Sequence, residues 1–134
     1  MESTLKRTWA EIDLDALAHN YRTLRAQMGP RSRFLGVVKA DAYGHGAIQI
    51  SRTLEELGAA YLAISSIDEA RELRLAGVHL PILQLGLTPS DQTAAVIENS
   101  VTQAVWSEAS AMAFSQEAIR AGGRMKVHIK LDTG

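Results

Sequence analysis

No cysteine occurs among the 134 residues. That absence excludes disulfide frameworks and thiolate chemistry, and favours a reducing or indifferent compartment. Charge of one sign is lacking too: 14 basic and 15 acidic side chains nearly cancel. Neither a run of like charge nor a basic stripe with interleaved aromatics appears, so nucleic acid is not expected as a partner. No stretch approaches the roughly 18 consecutive apolar residues of a membrane span, and MESTLKRTWAEIDLDAL has no apolar centre of the kind a signal peptide needs. A cytoplasmic protein with no membrane partner is expected. The four histidines, His19, His45, His79 and His128, show no metal-ligand spacing, so no metal is assigned. Neither a GxSxG elbow nor a GxGxxG or Walker loop is present.

What is present is enough apolar material for a core, 46% of the chain, at about the length of one domain. Along the chain strands and helices alternate. WAEIDL (9–14) alternates apolar and acidic residues, as a half-buried strand does. Asp13 or Asp15 then caps a helix whose Leu17, Tyr21, Leu24 and Met28 recur at helical spacing, with Gly29 and Pro30 stopping it. FLGVV (34–38), AYLAI (60–64), PILQL (81–85), VTQAV (101–105) and MKVHIKL (125–131) read as strands. Between them lie AIQISRTLEELG, ending at Gly58, and IDEARELRLAG, entered through a capping box of Ser66 and Glu69 and ended by Gly77. A helix headed by Thr88 and Pro89 follows, and another runs from Ser107 to Ala121.

Strands some 20 residues apart, each separated from the next by one amphipathic helix, require parallel pairing with right-handed crossovers. Two folds satisfy this, a doubly wound sheet and a (β/α)8 barrel. The missing phosphate loop favours the barrel. A complete barrel takes about 250 residues, so the expected fold is α/β, a partial TIM-type barrel with about five of its eight strands. The chain is expected to be a piece of a larger protein.

In either fold the chemistry gathers at the carboxyl ends of the strands. Lys39 stands at such an end, in VVKADAYGHG (37–46). If Lys39 points into a barrel, Leu35 and Val37 share its face, and Phe34, Gly36 and Val38 meet the helices. In the last strand Val127, Ile129 and Leu131 share one face, and His128, Lys130 and Asp132 the other. An ionisable triplet inside a barrel is costly unless paired, which suggests a site. The residues alone reach a parallel α/β enzyme with a lysine at its mouth, and leave the reaction open.

WAEIDLDALAHNYRTLR (9–25), VVKADAYGHG (37–46) and VHIKLDTG (127–134) resemble the amino-terminal part of alanine racemase, a fold-type III enzyme that uses pyridoxal 5'-phosphate. The resemblance covers essentially the whole chain. It implies that Lys39 holds the cofactor as a Schiff base and serves as proton acceptor and donor for D-alanine. Lysine suits both tasks, because a primary amine forms the imine and a lowered pKa makes it a usable base. Tyr43 would donate its hydroxyl to the cofactor phosphate, with Gly44 and Gly46 letting the turn come close, and Leu85 would pack near the ring.

Lys130 matches the family lysine that is often carbamylated. That modification would turn a costly buried cation into an anion able to pair with a substrate-orienting arginine beyond residue 134. The resemblance also implies that residues 1–14 hold a strand belonging to a further β domain, and that residues 15–134 are the first part of the cofactor-binding barrel. It implies a homodimer in which a partner-subunit tyrosine is the second base. The expected activity is interconversion of L- and D-alanine, supplying D-alanine for peptidoglycan, with the isolated chain inactive. Two alternatives are a serine or broad-specificity racemase and a non-catalytic carrier of pyridoxal phosphate on the same barrel. The WAEIDL strand and the ADAYGHG turn favour the racemase over the carrier.

Overall fold

The computed structural model describes residues 8–134. Its elements in chain order are α1 (Leu14–Gln27), β1 (Leu35–Val37), a helical turn α2 (Lys39–Gly44), α3 (Ala47–Glu56), β2 (Tyr61–Ile64) and α4 (Ile67–Leu75). Next come β3 (Ile82–Gln84), a 3-10 turn (Ser90–Gln92) leading into α5 (Thr93–Glu98), β4 (Val101–Val105), α6 (Glu108–Arg120) and β5 (Lys126–Ile129). The strands form one sheet in the order β1-β2-β3-β4-β5, every pair parallel.

That order separates the two folds the sequence allowed. A doubly wound sheet reverses direction at a switch point, whereas here each strand lies beside the one before it. Right-handed crossovers taken in one direction put all the helices on one face. The result is five staves of a (β/α)8 wall, the partial barrel expected from the sequence.

The register fixes the two faces. Leu35 is level with Tyr61, Val37 with Ala63, Leu83 with Thr102, and Ala104 with His128. These residues lie on the concave, lumen side. Gly36, Val38, Leu62, Ile64, Ile82 and Val101 face the helices, and all but Gly36 join the main apolar core with Leu54, Ile67, Leu73 and Val96. Alternation at β1 is therefore as expected: Leu35 and Val37 are exposed on the lumen side, and Val38 is buried. A Cβ at position 36 would stand 2.5 Å from Leu54 Cδ1, so any larger residue there must push the flexible end of Leu54 aside.

Several helix ends also match. Asp13 Oδ1 accepts from the Asp15 and Ala16 N–H groups, and Ser107 from Ser110 N–H. Ser66 and Glu69 make the reciprocal capping box.

Two expectations change. Residues 8–13 form no strand, and Leu14 already belongs to α1. Among the described residues WAEIDL joins none of the sheet's strands, and an unpaired segment has no ladder to fix it as one. Residues 1–7 of the expected strand segment lie outside the described residues. Leu24, expected on the buried stripe of α1, is 54% exposed. The helix buries only Ala18 and Tyr21, the latter edge-on to Phe34 at 4.7 Å between ring centroids.

Candidate active site

The carboxyl ends of the strands form one rim. Parallel pairing continues past β1, where Val38 N–H donates to Ala63 O at 2.9 Å, and past β3, where Leu85 N–H donates to Ile64 O at 2.9 Å. Lys130 N–H continues the pairing of β5 by donating to Val105 O at 2.7 Å. Lys39, Leu85 and Lys130 thus stand on this rim, each one or two residues beyond a strand.

After Lys39 the backbone does something the sequence does not announce. Ala40, Asp41, Ala42 and Tyr43 hold φ of 50, 53, 51 and 56° with ψ between 37 and 53°, a left-handed turn built from four residues with side chains. A left-handed residue other than glycine costs roughly 1–2 kcal/mol, so such a turn persists only where its surroundings over-determine it.

The restraints are specific. Glu69 Oε1 accepts from Ala40 N–H at 2.7 Å, Asp41 Oδ1 accepts from Ala47 N–H at 2.7 Å, and His45 Nδ1 lies 2.8 Å from Ala42 O. Ala42 N–H donates to Val38 O, Gly46 N–H donates to Asp41 O, and the Ala42 methyl is buried. Gly44 and Gly46 have φ of +84 and +88° with open space where a Cβ would lie. The positive φ by itself favours glycine at both positions, and no protein atom crowds either one.

Tyr43 is the member of the turn that points outward. It is 61% exposed, its ring centroid lies 5.9 Å from Lys39 Nζ, and among the described residues its hydroxyl has no protein partner. Lys39 itself is half-buried.

The neighbouring loops are held by buried amides. Gln84 Nε2 donates to Ser65 O at 2.8 Å, Gln103 Nε2 to Gly86 O at 2.9 Å, and Thr88 Oγ1 to Gln103 Oε1 at 2.6 Å. Gly86 is forced to be glycine, since a Cβ would come 2.7 Å from Ser65 O. Among the described residues Gln84 Oε1 is buried without a partner.

Glu69 ties the rim together, with Oε2 accepting from Ser65 N–H at 2.7 Å, Ser66 N–H at 3.1 Å and Ser65 Oγ at 3.2 Å. Partial burial pushes its pKa up, but the hydrogen bonds from Ser65, Ala40 and Ser66 outweigh that and hold the carboxyl below its ordinary value.

Leu85 and Lys130 meet in a cleft of about 340 Å³ that they line with Trp106 and Asp132. Lys39 and Tyr43 lie beside each other but do not line this cleft. The expected alternation of the last strand holds: Val127 and Ile129 turn toward α6, and His128 turns to the lumen beside Tyr61, with ring centroids 6.0 Å apart. Tyr61 reaches across β3, its hydroxyl 3.3 Å from Thr102 Oγ1.

The burial expected of Lys130 is absent. All of β5 is exposed and so is Lys130, because β5 is the edge of the five-stranded sheet. A cation there keeps its water, and no desolvation cost needs relief in this chain.

Sequence reasoning missed Trp106, although its place just after VTQAV marked it, and missed Glu69 and Asp41 as braces of the lysine turn. The capping box identified only half of what Glu69 does.

The residues present suit a carbonyl-bearing, phosphorylated cofactor. A primary amine at the strand end can bond a carbonyl carbon, and the outward phenol beside it has a free donor for an anion.

The chain is similar throughout to known proteins. The family model described as "Alanine racemase, N-terminal domain" matches residues 12–134. The alanine racemase of Desulfovibrio desulfuricans is 44% identical over 134 residues, 100% of this chain and 36% of that protein. That of Clostridium perfringens strain ATCC 13124 is also 44% identical over 134 residues, covering 34% of its length. Among solved structures, alanine racemase of Clostridium difficile 630 in complex with cycloserine superposes with a TM-score of 0.91 at 38% identity, over 98% of this chain and 35% of that one. Alanine racemase from Bacillus anthracis with bound L-Ala-P gives 0.87 at 34% identity, over 99% and 34%. The chain therefore spans about a third of the length of the relatives it matches. With a lysine-led turn on the rim of a sequentially ordered parallel sheet, and a match running from residue 12 to residue 134, the chain belongs to the alanine racemase family, within its amino-terminal domain.

Proposed function

We propose that the complete protein of which this chain is the amino-terminal part interconverts L- and D-alanine with pyridoxal 5'-phosphate. The observation that carries the reading is the pairing of Lys39 with an outward Tyr43 on a braced left-handed turn at the carboxyl rim of the sheet. The cofactor, when bound, spreads the negative charge left at the amino acid's α-carbon when its proton departs.

The chain's own residues divide the remaining tasks. Lys39 Nζ holds the cofactor and, once displaced by the substrate amine, takes or returns the α proton on the D-alanine side. Tyr43 donates its hydroxyl to the phosphate. Leu85 packs against the ring, on the wall it forms with Trp106.

Inverting a stereocentre needs a second proton carrier on the opposite face, which this reading assigns to a tyrosine of the partner subunit in a homodimer. The product supplies D-alanine for peptidoglycan, in the cytoplasm.

Lys130 is proposed to react with carbon dioxide, its amine gaining a carboxylate and releasing a proton. Completion of the barrel beyond β5 would bury the amine and so favour its neutral, reactive form, and the arginine expected beyond residue 134 would pair with the resulting anion. Native protein handled in bicarbonate should carry the mass of one added carboxyl group, and an unmodified mass contradicts the assignment.

Heavy water tests the activity directly. The complete protein with the cofactor should exchange the α proton of both alanine enantiomers, and Lys39→Ala should abolish this. Absence of exchange in the unaltered protein rejects the racemase, and serine exchanging faster than alanine would move the substrate.

A further inference from the structure

We propose that Glu69 is a positioning residue for Lys39, holding the left-handed turn through the Ala40 amide and so fixing the direction in which the lysine leaves β1. The proposal rests on the assignment of Lys39 as the working lysine.

The two oxygens of Glu69 have separate tasks. Capping α4 uses Oε2, which accepts from Ser66 N–H, while the Glu69 N–H donates to Ser66 Oγ at 3.3 Å. Oε1 has no part in the cap, and reaches instead across to the loop after the preceding strand, β1, to accept from Ala40 N–H at 2.7 Å. Ala40 is the first left-handed residue and the neighbour of Lys39. The other restraints, Asp41 to Ala47 and His45 to Ala42, lie within the loop between β1 and α3. Among the described residues Glu69 supplies the side-chain hydrogen bond that anchors this loop to another part of the barrel, joining the ends of β1 and β2.

Every partner of the two oxygens is a donor, so the site requires an acceptor at both positions. A carboxylate provides that; an amide does not, because its NH2 would face either Ala40 N–H or the Ser65 and Ser66 N–H groups. A residue needed only as a helix cap would tolerate glutamine, the ordinary alternative in a capping box.

Two variants of the complete protein separate the roles. Ser66→Ala removes the hydroxyl of the cap and leaves the link to Ala40. Glu69→Gln keeps the length but breaks one arm. Amide hydrogen exchange of the cofactor-free protein over residues 38–45 should accelerate about tenfold or more in Glu69→Gln, as expected when the amide that anchors the turn loses its hydrogen-bond acceptor. With cofactor, kcat for α-proton exchange of alanine should fall about tenfold while KM changes less than about twofold, a loss confined to the transition state. Ser66→Ala should leave both readouts within about twofold while lowering thermal stability.

Equal effects of the two variants, or unchanged exchange over residues 38–45 in Glu69→Gln, overturn the proposal. Should Glu69→Gln not fold, Glu69→Asp gives the same comparison, since one methylene fewer keeps the charge but cannot span both loops. If the unaltered protein exchanges no α proton, the racemase reading fails by itself, and amide exchange over residues 38–45 still decides whether Glu69 tethers the turn.

Discussion

Lys39 is ordinary as a residue, and its setting is not. Four side-chain-bearing residues in left-handed conformation follow it, braced by Glu69, Asp41 and His45. A lysine and a tyrosine four residues apart were legible in VVKADAYGHG, and so was the strand that delivers the lysine. The handedness of the turn was not. Alanine favours the right-handed helix, and of the groups that overrule it, Glu69 stands 29 residues later in sequence than the Ala40 it holds.

Single residues therefore carry sharp expectations. Asp41→Ala frees Ala47 N–H at the head of α3 and should cost about 1–3 kcal/mol, read by denaturant unfolding of the complete protein. Gly86→Ala places a Cβ against the Ser65 carbonyl, where no flexible side chain can yield, and should destabilise more than Gly36→Ala, whose clash is with the mobile end of Leu54. Equal costs for the two glycines would mean that the loop after β3 gives way more easily than its buried amide bonds suggest.

Elements were the most legible scale. Each of the five core strands falls within the stretch read for it, and the helix starts at Asp13, Ser66 and Ser107 were marked by side chains able to cap. The strand read at WAEIDL is the one the sheet does not contain. WAEIDL alternates correctly for a strand, but alternation supplies a face and not a partner.

The α4 cap gives a pH dependence whose sign follows from its bonds. The hydrogen bonds hold the Glu69 carboxyl below its ordinary value despite burial. Its folded form is thus the better acid, and its contribution is present above the ordinary carboxylate range and lost as pH falls through the folded value. Glu69→Gln should flatten the acid limb of stability against pH by up to about one proton. An unchanged limb would show that the carboxylate is no more favoured in the folded protein than in the unfolded one.

At the scale of the whole molecule the sheet is a wall without its opposite side. Leu35 and Val37 on the lumen face are 38% and 40% exposed, and Ile129 and Leu131, at the end of the edge strand β5 and just past it, are each 76% exposed. Among the described residues both outer strands, β1 and β5, offer unpaired backbone, which invites further pairing. The partial barrel was readable because strand and helix spacing and the absence of a phosphate loop leave few folds. The completed site was not, since the chain spans about a third of its relatives. The isolated 134-residue chain should neither racemise alanine nor stay monomeric in sedimentation, and should gain activity when mixed with the remaining two-thirds of the protein. Racemisation by the chain alone would contradict this.

The central claim is that Lys39 carries the cofactor. Borohydride reduction of the complete protein loaded with pyridoxal 5'-phosphate, followed by peptide mapping, tests it most directly. A reduced pyridoxyl label on Lys39 is predicted, and a label on any other lysine would contradict the account.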